Sequence, residues 1–307
     1  MKRRADVALF GDSFVDHVLS GFAQWPHPGE EAYAEEYFRE AGGGAVNTAC
    51  GLTRLGRKSA LFSIAGHDYG DWLIHRIQDF GVDTSEMLRG DLPTGITVAL
   101  SAPAERTFFT YRGVNAALDT ILRDPSLWDR LAQSQYVHFA CAPAREPIIA
   151  AFEKLRAAGC VITLDTGWHE DWLRDPSNLD VIRRTNVFFP NEREAEAIAG
   201  TNDPSRMLDF FVQHGANCVV IKLGKNGAVM VQSGARYECH GFDVDVVDTT
   251  GAGDAFNSGF IHALLDHQPP QRCLEIACLC GALSTRAPGA LQALPTRDEL
   301  EVRRWAK

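Results

Sequence analysis

Asp248-Thr249-Thr250-Gly251-Ala252-Gly253-Asp254-Ala255-Phe256 is the stretch of this 307-residue sequence that decides the fold. A strand-like run, 242–247, precedes it, and a helical pattern, 255–265, follows it. Glycines at a helix start let backbone N–H groups approach a ligand closely, so the turn predicts an anion site. Asp254 beside that site is a candidate base for an attacking hydroxyl. A short Gly-x-Gly-Asp run is also typical of a simple helix cap, so the pattern is specific only at its full length.

Strand and helix patterns alternate along most of the chain. Strands are predicted at 5–11, 59–65, 136–140, 160–165, 186–189 and 217–222, with helices at about 44–55, 69–80, 146–158, 178–184, 192–199, 205–214, 253–266 and 272–285 and from about 297. Such alternation is typical of a parallel sheet covered by helices on both faces. A small β appendage is predicted from about 14–40 and 94–113. We therefore expect one α/β domain, 1–307, with a small β-sheet lid.

Composition narrows the class of protein. The formal net charge is −10 and basic residues form no extended run, which argues against nucleic acid as a partner. Neither a signal peptide nor an apolar run long enough to span a bilayer is evident, which argues against a membrane partner. The eight cysteines are scattered without a Cys-x-x-Cys pair, a pattern that favours free thiols and a cytoplasmic location.

Four further motifs carry polar or glycine residues at strand ends or helix starts. They are Gly11-Asp12-Ser13-Phe14-Val15-Asp16, Gly42-Gly43-Gly44-Ala45-Val46-Asn47, Pro190-Asn191-Glu192-Arg193-Glu194 and Lys222-Leu223-Gly224-Lys225-Asn226-Gly227. Ligands of open α/β sheets bind at the carboxyl ends of the strands, which is where we expect these motifs. Each motif alone is equally typical of an ordinary turn or a helix N-terminus.

Together, the five motifs resemble those of the ribokinase-like (PfkB) carbohydrate kinase family over nearly the whole chain. The resemblance implies a ribokinase-like fold, in which helices sandwich a central, mostly parallel β-sheet and a small β-sheet forms a lid. It assigns the general base to Asp254. It also assigns the N–H groups of the anion hole to Gly251, Ala252 and Gly253.

The resemblance also implies a set of substrate-binding residues. Gly42, Gly43 and Asn47 correspond to a signature that contacts substrate hydroxyls. Asp16 is expected to hold two sugar hydroxyls, with Asp12 as a second carboxylate. Arg106 and Arg112 are candidates to reach the sugar from the lid.

The remaining implied roles concern ATP and cations. Asn191 and Glu194 correspond to the motif that positions Mg²⁺ and phosphate, largely through water. The nucleotide is expected to lie beside Lys222, Gly224, Gly227 and Cys278. A monovalent cation, K⁺ by the resemblance, is expected near Asp248 and Thr250.

The sequence thus predicts an ATP- and Mg²⁺-dependent phosphotransferase acting on a hydroxyl of a small sugar. The sugar is expected to be like fructose, ribose or ketodeoxygluconate. A nucleoside kinase is an alternative within the family, and a catalytically silent sugar-binding regulator is an alternative from another class. A homodimer through the lid is the expected assembly.

Overall fold

Apolar strands separated by amphipathic helices form the framework of the molecule. The computed structural model describes residues 5–302 apart from 23, 26, 28, 103 and 104, and the backbone alone at 101, 102, 105, 106 and 302. Numbered along the chain, the strands are β1 (Ala5–Gly11), β2 (Phe14–Ser20), β3 (Glu36–Gly42), β4 (Ser59–Phe62), β5 (Ile64–Ala65), β6 (Leu88–Arg89), β7 (Gly95–Ala102), β8 (Glu105–Tyr111), β9 (Ser134–Ala140), β10 (Val161–Asp165), β11 (Val187–Phe188), β12 (Cys218–Lys222), β13 (Ala228–Gln232) and β14 (Ala235–Cys239). The helices are α1 (Gly44–Arg54), α2 (Gly70–Asp79), α3 (Leu118–Leu122), α4 (Pro125–Leu131), α5 (Arg145–Ala157), α6 (Glu170–Arg174), α7 (Leu179–Ile182), α8 (Glu192–Ala199), α9 (Pro204–Gln213), α10 (Ala252–Leu265), α11 (Pro270–Ser284) and α12 (Arg297–Val302).

The central sheet has the strand order β14-β13-β12-β11-β10-β9-β1-β4. Strands β4 to β12 in this order run parallel, and β13 and β14 join antiparallel at one edge. In β1, Val7 and Leu9 pack in one hydrophobic cluster while Ala8 and Phe10 pack in another. Alternate side chains point to opposite faces of a strand, so the sheet is buried on both faces, as expected of parallel strands.

A separate four-stranded sheet has the order β3-β2-β7-β8. Its strands fall within 14–42 and 95–111, close to the two segments predicted for the lid. Only residues 12 and 13 separate β1 from β2, so the small sheet grows directly out of the central one. Ser13 fixes this junction, because its N–H donates to Asn115 Oδ1 at 3.1 Å and its Oγ donates to the Ile64 carbonyl at 2.9 Å.

The structure corrects two strand predictions. Residues 242–247 are irregular, and Val246 and Val247 are each 61% exposed. The predicted strand 59–65 is divided into β4 and β5 at Ser63, whose Oγ donates to the Gly11 carbonyl at 2.7 Å. The sequence also predicts two strands of the appendage, 94–100 and 106–111, joined by a turn at 102–104, and that turn falls largely outside the described residues. No helix within the described ranges is long and apolar enough to cross a bilayer.

Candidate active site

The turn before α10 is held open by backbone geometry rather than by a capping side chain. Gly251 has φ 72°, and a Cβ on it would lie 2.5 Å from the Ala290 Cβ, so only glycine fits. Asp248 ties the turn to the 289 loop, because its carboxylate accepts from the Thr250 N–H at 2.6 Å and from the Gly289 N–H at 2.7 Å. The Ala252 N–H, predicted for the anion hole, donates to the Thr249 carbonyl at 3.2 Å. No described side chain caps α10, so the next N–H groups of its first turn, those of Gly253 and Asp254, are available to an anion.

Asp254 lies in the first turn of α10 and faces α1. The Asn47 Nδ2 donates to the Asp254 Oδ2 at 2.8 Å. Helices α1 and α10 pack closely here, since a Cβ on Gly51 would lie 2.5 Å from the Ser258 Oγ. Burial raises the pKa of Asp254 to about 7, and the nearby Asp165 adds to the rise while Asn47 and Lys222 oppose it. A carboxyl with a pKa near the working pH suits a general base.

Asp165 and Lys222 form a largely buried ion pair close to Asp254. Asp165 ends β10 and Lys222 ends β12, and the Lys222 Nζ donates to the Asp165 Oδ2 at 2.5 Å. The Asn257 Nδ2 donates to the same oxygen at 2.6 Å. Burial alone would raise the pKa of Asp165, but the Lys222 charge and these hydrogen bonds lower it on balance. Asp165 therefore places a fixed negative charge near Asp254.

A cavity of about 420 Å³ opens beside Asp254, within the range of small-molecule sites. Its walls come from the ends of β1, β9 and β10 and from the small sheet. They include Phe10, Asp12, Phe14, Gly44, Thr110, Arg112, Asp119, Ala140, Cys141, Asp165, Thr166, Trp168, His169 and Asp254. We call this space the acceptor cavity.

Two carboxylates predicted to bind substrate lie in or near the acceptor cavity. Burial raises the pKa of Asp12, a wall residue, to about 6, while the nearby Arg112 opposes this rise. The Asp12 Oδ1 lies 4.0 Å from the Arg112 guanidinium and has no hydrogen-bond partner among the described residues. Burial raises the pKa of Asp16 to about 7; Thr97 opposes the rise, whereas the charges of Glu40 and Asp254 increase it.

The glycine motif shapes the approach to these carboxylates. A Cβ on Gly42 would lie 2.0 Å from the Asp16 Oδ2, and a Cβ on Gly43 would lie 2.4 Å from the Asp12 carbonyl oxygen. Gly43 also has φ 105°, a conformation that side chains rarely adopt. Arg106 falls in β8, but its side chain lies outside the described residues.

A second cavity, of about 370 Å³, lies on the other side of the α10 N-terminus. We call it the nucleotide cavity. Its walls include Asn191, Lys222, Gly224, Gly227, Phe242, Val244, Val246, Thr249, Ala252, Gly253, Phe256, Cys278 and Gly281. The predicted ATP-site residues Asn191, Lys222, Gly224, Gly227 and Cys278 all line it, while Glu194 sits behind Asn191 in the same helix start.

Asn191 and Glu194 form a reciprocal cap at the start of α8. The Asn191 Oδ1 accepts from the Glu194 N–H at 2.9 Å, and the Glu194 Oε2 accepts from the Asn191 N–H at 2.8 Å. Burial raises the pKa of Glu194 to about 7, and the charge of Asp165 adds to the rise. Each carboxylate oxygen retains acceptor capacity beyond one hydrogen bond, so Glu194 can still order a water.

Sequence reasoning missed several residues that the structure brings to the site. Asp165 and Asn257 were not singled out, and neither were Asp119, Trp168 and His169 in the acceptor cavity. For Asp165, the position at the end of a parallel strand was the available signal. No pattern in the sequence pointed to Asn257, which lies inside the predicted helix 253–266.

The two cavities meet at the α10 N-terminus, with Gly253 lining the nucleotide cavity and Asp254 lining the acceptor cavity. A site with a donor pocket, an acceptor pocket and a carboxylate between them is that of a small-molecule kinase. Residues 4–297 match the profile of the pfkB family carbohydrate kinases, and the chain belongs to that family of ATP-dependent sugar kinases.

Individual relatives agree with this assignment. The chain is 30% identical to a 2-dehydro-3-deoxygluconokinase of Bacillus subtilis (strain 168), covering 97% of this chain and 94% of that protein. It is 31% identical to a fructokinase of Klebsiella pneumoniae, covering 85% of this chain and 90% of that protein.

Solved structures establish the ribokinase fold. A ribokinase of Thermotoga maritima superposes with a TM-score of 0.81 at 25% identity, covering 97% of this chain and 98% of that one. An Arabidopsis thaliana ribokinase complexed with ribose and ATP has a TM-score of 0.83 at 21% identity, covering 97% of this chain and 98% of that one. The expected central parallel sheet with a small separate sheet is thereby confirmed.

Proposed function

We propose that this protein transfers the γ-phosphoryl group of ATP to a hydroxyl of a small sugar bound in the acceptor cavity, with Asp254 as the general base. The observation that carries the proposal is the position of Asp254. Its carboxylate faces the acceptor cavity, while the residue before it, Gly253, lines the nucleotide cavity. A hydroxyl beside Asp254 is thus aligned with a phosphate bound at the helix start.

The chemistry follows from this alignment. Asp254 accepts the proton of the attacking hydroxyl, and the oxygen attacks the γ-phosphorus as the bond to the β-phosphate oxygen breaks. Of the predicted anion-hole residues, we retain the N–H groups of Gly251 and Gly253, and the Asp254 N–H takes the place of that of Ala252, which is bonded to the Thr249 carbonyl. These N–H groups and the dipole of α10 stabilise the charge on the transferred group. Lys222 lines the nucleotide cavity, so it adds a positive charge on the donor side.

We propose Mg²⁺ as the metal that accompanies ATP. The described residues contain no cluster of three or more His, Cys, Asp or Glu side chains able to cage a metal. Mg²⁺ fits such a site, since it is usually held by substrate phosphates, waters and one or two carboxylates. Glu194, and Asn191 through its oxygen, would hold it by way of water. When bound, the ion neutralises phosphate charge.

The substrate contacts belong to the same proposal. The Asp16 carboxylate accepts hydrogen bonds from sugar hydroxyls, and Asn47 forms a further hydrogen bond to the sugar. Gly42 and Gly43 keep Asp16 and the Asp12 backbone in place, because a Cβ at Gly42 would displace the Asp16 carboxylate and a Cβ at Gly43 would meet the Asp12 carbonyl oxygen. Asp12 and Arg112 contact the far end of the acceptor, and we keep Arg106 as a further candidate from the lid. The apolar residues Phe242, Val244 and Val246, with Cys278, line the space proposed for adenine.

A nucleoside kinase is the second candidate. Trp168 supports it, because this side chain lines the acceptor cavity and is 57% exposed. An exposed indole at a cavity rim can stack on a base, as aromatic residues do in nucleic-acid sites. A riboside and a free sugar can be compared directly in the assay below.

Two further parts of the proposal concern ions and assembly. We propose a K⁺ ion near Asp248 and Thr250, in the turn tied to the 289 loop, and a comparison of turnover in K⁺ and in Na⁺ tests this site.

We also propose a homodimer through the lid. The lid face opposite to Thr110 exposes the aromatic residues Tyr37, Phe109 and Tyr111, and sedimentation of Phe109→Glu against the unaltered protein tests that contact.

A coupled ADP-release assay with fructose, ribose, 2-dehydro-3-deoxygluconate and adenosine tests the proposed reaction. We expect turnover with at least one acceptor, and a loss of about 10²–10⁴-fold in kcat for Asp254→Asn, the range for removal of a general base. ATP binding by calorimetry should change little in that variant. Asp129→Asn, which alters an exposed carboxylate on α4, is the matched control.

Near-normal turnover of Asp254→Asn would show that another group is the base. Tight binding of a sugar without turnover of any acceptor would favour the silent regulator instead. Preference for adenosine over every sugar would favour the nucleoside kinase.

A further inference from the structure

The cysteines of this chain differ in exposure and in acidity. All eight lie among the described residues as free thiols, and the two that are not fully buried are Cys141 and Cys239. Burial raises the pKa of the Cys141 thiol, which makes it a poor nucleophile. The pKa of the Cys239 thiol is instead lowered, chiefly by its interaction with the Cys278 side chain. Cys239 therefore combines the exposure and the acidity that a reactive thiol needs.

Strand β14 and helix α11 bring Cys239 and Cys278 to the same hydrophobic cluster. Cys278 is a buried member of that cluster, and Cys239 packs against it from the end of β14. Cys239 lies opposite Ala228 in the β13–β14 ladder, and Ala228 belongs to the same cluster, so the Cys239 side chain points toward α11. The Gln271 Nε2 on α11 donates to the Glu238 carbonyl at 3.0 Å, which holds the strand end against the helix. The two thiols are thus neighbours on facing elements, as disulfide formation requires.

This pair of thiols adjoins the nucleotide cavity. Cys278 lines the part of the wall proposed for adenine. Gly227 and Gly241 line the same cavity, and a Cβ on Gly227 would lie 2.0 Å from the Cys239 carbonyl oxygen. A disulfide holds its two sulfur atoms about 2 Å apart, so its formation would pull the Cys278 side chain toward β14. The shape of the space for adenine would then depend on the oxidation state of the pair.

We propose that Cys239 and Cys278 form a site of reversible oxidation, and that their disulfide weakens the binding of ATP in the nucleotide cavity. The bond itself forms independently of the kinase reaction, whereas its effect rests on the proposed position of ATP. Cys278 would be the resolving thiol, because it is buried and its pKa is raised.

A peroxide is the oxidant in this proposal. The Cys239 thiolate attacks one peroxide oxygen and the O–O bond breaks, which gives a sulfenic acid on Cys239. The hydroxide that leaves takes up the proton released by the Cys239 thiol. The Cys278 sulfur then attacks the Cys239 sulfur, the S–O bond breaks, and the departing hydroxide takes the Cys278 proton. Two thiols and one hydrogen peroxide thus give one disulfide and two waters, and an added dithiol restores both thiols.

The test is oxidation of the whole protein with hydrogen peroxide, followed by mass spectrometry and calorimetry. The intact mass should fall by two hydrogens, and digestion without reductant should yield peptides linked through Cys239 and Cys278. The Kd for ATP should rise about tenfold or more, within the usual range of coupling between two sites, and should return after treatment with dithiothreitol. In a glutathione redox buffer, saturating ATP should lower the linked fraction, because this coupling is reciprocal.

Two variants separate this site from the other thiols. Cys239 lies outside the walls of both cavities, so Cys239→Ser should keep the turnover of the reduced protein and lose the effect of peroxide on the Kd for ATP. Cys160→Ser is the matched control, because a serine hydroxyl can keep the bond that the Cys160 Sγ donates to the Ser134 carbonyl at 3.4 Å. It should respond to peroxide like the unaltered protein.

Peptide mapping of the unaltered protein decides the proposal even where a variant fails to fold. Linked peptides that join other cysteines, or no linked peptides, would overturn the oxidation site. A link between Cys239 and Cys278 that leaves the Kd for ATP unchanged would refute the effect on ATP binding. Lack of ATP binding before oxidation would contradict the kinase proposal, and the mapping would still show whether the pair oxidises.

Discussion

The hydrogen bond from Asn47 to Asp254 sets the pH at which the proposed base becomes available. The Asn47 Nδ2 donates to the Asp254 Oδ2 at 2.8 Å, and this bond stabilises the ionised carboxylate. A hydrogen bond to a charged group contributes about 1.5–3 kcal/mol, and 1.36 kcal/mol corresponds to one pKa unit. Asn47→Ala should therefore raise the pKa of Asp254, now about 7, by roughly one to two units.

The assay is the pH dependence of kcat at saturating ATP and sugar. A base must be deprotonated to work, so kcat should rise with pH and level off above the pKa of Asp254. In Asn47→Ala the rising limb should move to higher pH by the same one to two units. The value of kcat on the alkaline plateau should fall much less than the value of kcat near pH 7. Asn202→Ala, at an exposed position between α8 and α9, is the control and should leave the limb in place.

A rising limb that stays at the same pH in Asn47→Ala would refute the reasoning, provided the variant still turns over. Either Asp254 would then not be the titrating group, or Asn47 would not bond to it in the working complex. A displacement toward lower pH would be equally damaging, since loss of a donor cannot favour the charged form.

Three other perturbations follow from the same site. Lys222→Met leaves Asp165 as a buried charge without its partner, so the free energy of unfolding in urea at pH 8 should fall by about 3–5 kcal/mol. Gly42→Ala puts a Cβ 2.0 Å from the Asp16 Oδ2, so KM for the sugar should rise about tenfold or more while KM for ATP stays the same. Asp254→Asn should raise Tm at pH 8 but not near pH 4. The pKa of Asp254 is about 7 in the folded protein and 3.8 in the unfolded chain, so the folded protein binds the proton more tightly. The free energy of unfolding that this group contributes is therefore complete below pH 4 and is lost as the pH rises through about 7, whereas an asparagine at this position does not titrate and loses nothing.

Local patterns predicted the framework and much of the site. The glycines in the turn at 248–254 and in the motif at 42–47 indicate the local backbone conformation, because positive φ and close backbone approach leave few alternatives to glycine. The strand predicted at 242–247 was wrong, because apolar residues that line a cavity cannot be told from those of a strand by sequence pattern alone. The Asp165 network was out of reach, because its partners Lys222 and Asn257 lie 57 and 92 residues further along the chain.

The walls of the two cavities come from different stretches of the polypeptide. Apart from Asp254, every residue lining the acceptor cavity falls between 10 and 169, and those lining the nucleotide cavity fall between 191 and 285. A single crossover between homologous genes in the intervening segment would therefore exchange sugar choice while keeping the ATP half intact. Hybrids joined there, assayed with the acceptors named above, would test whether acceptor choice follows the first part of the chain.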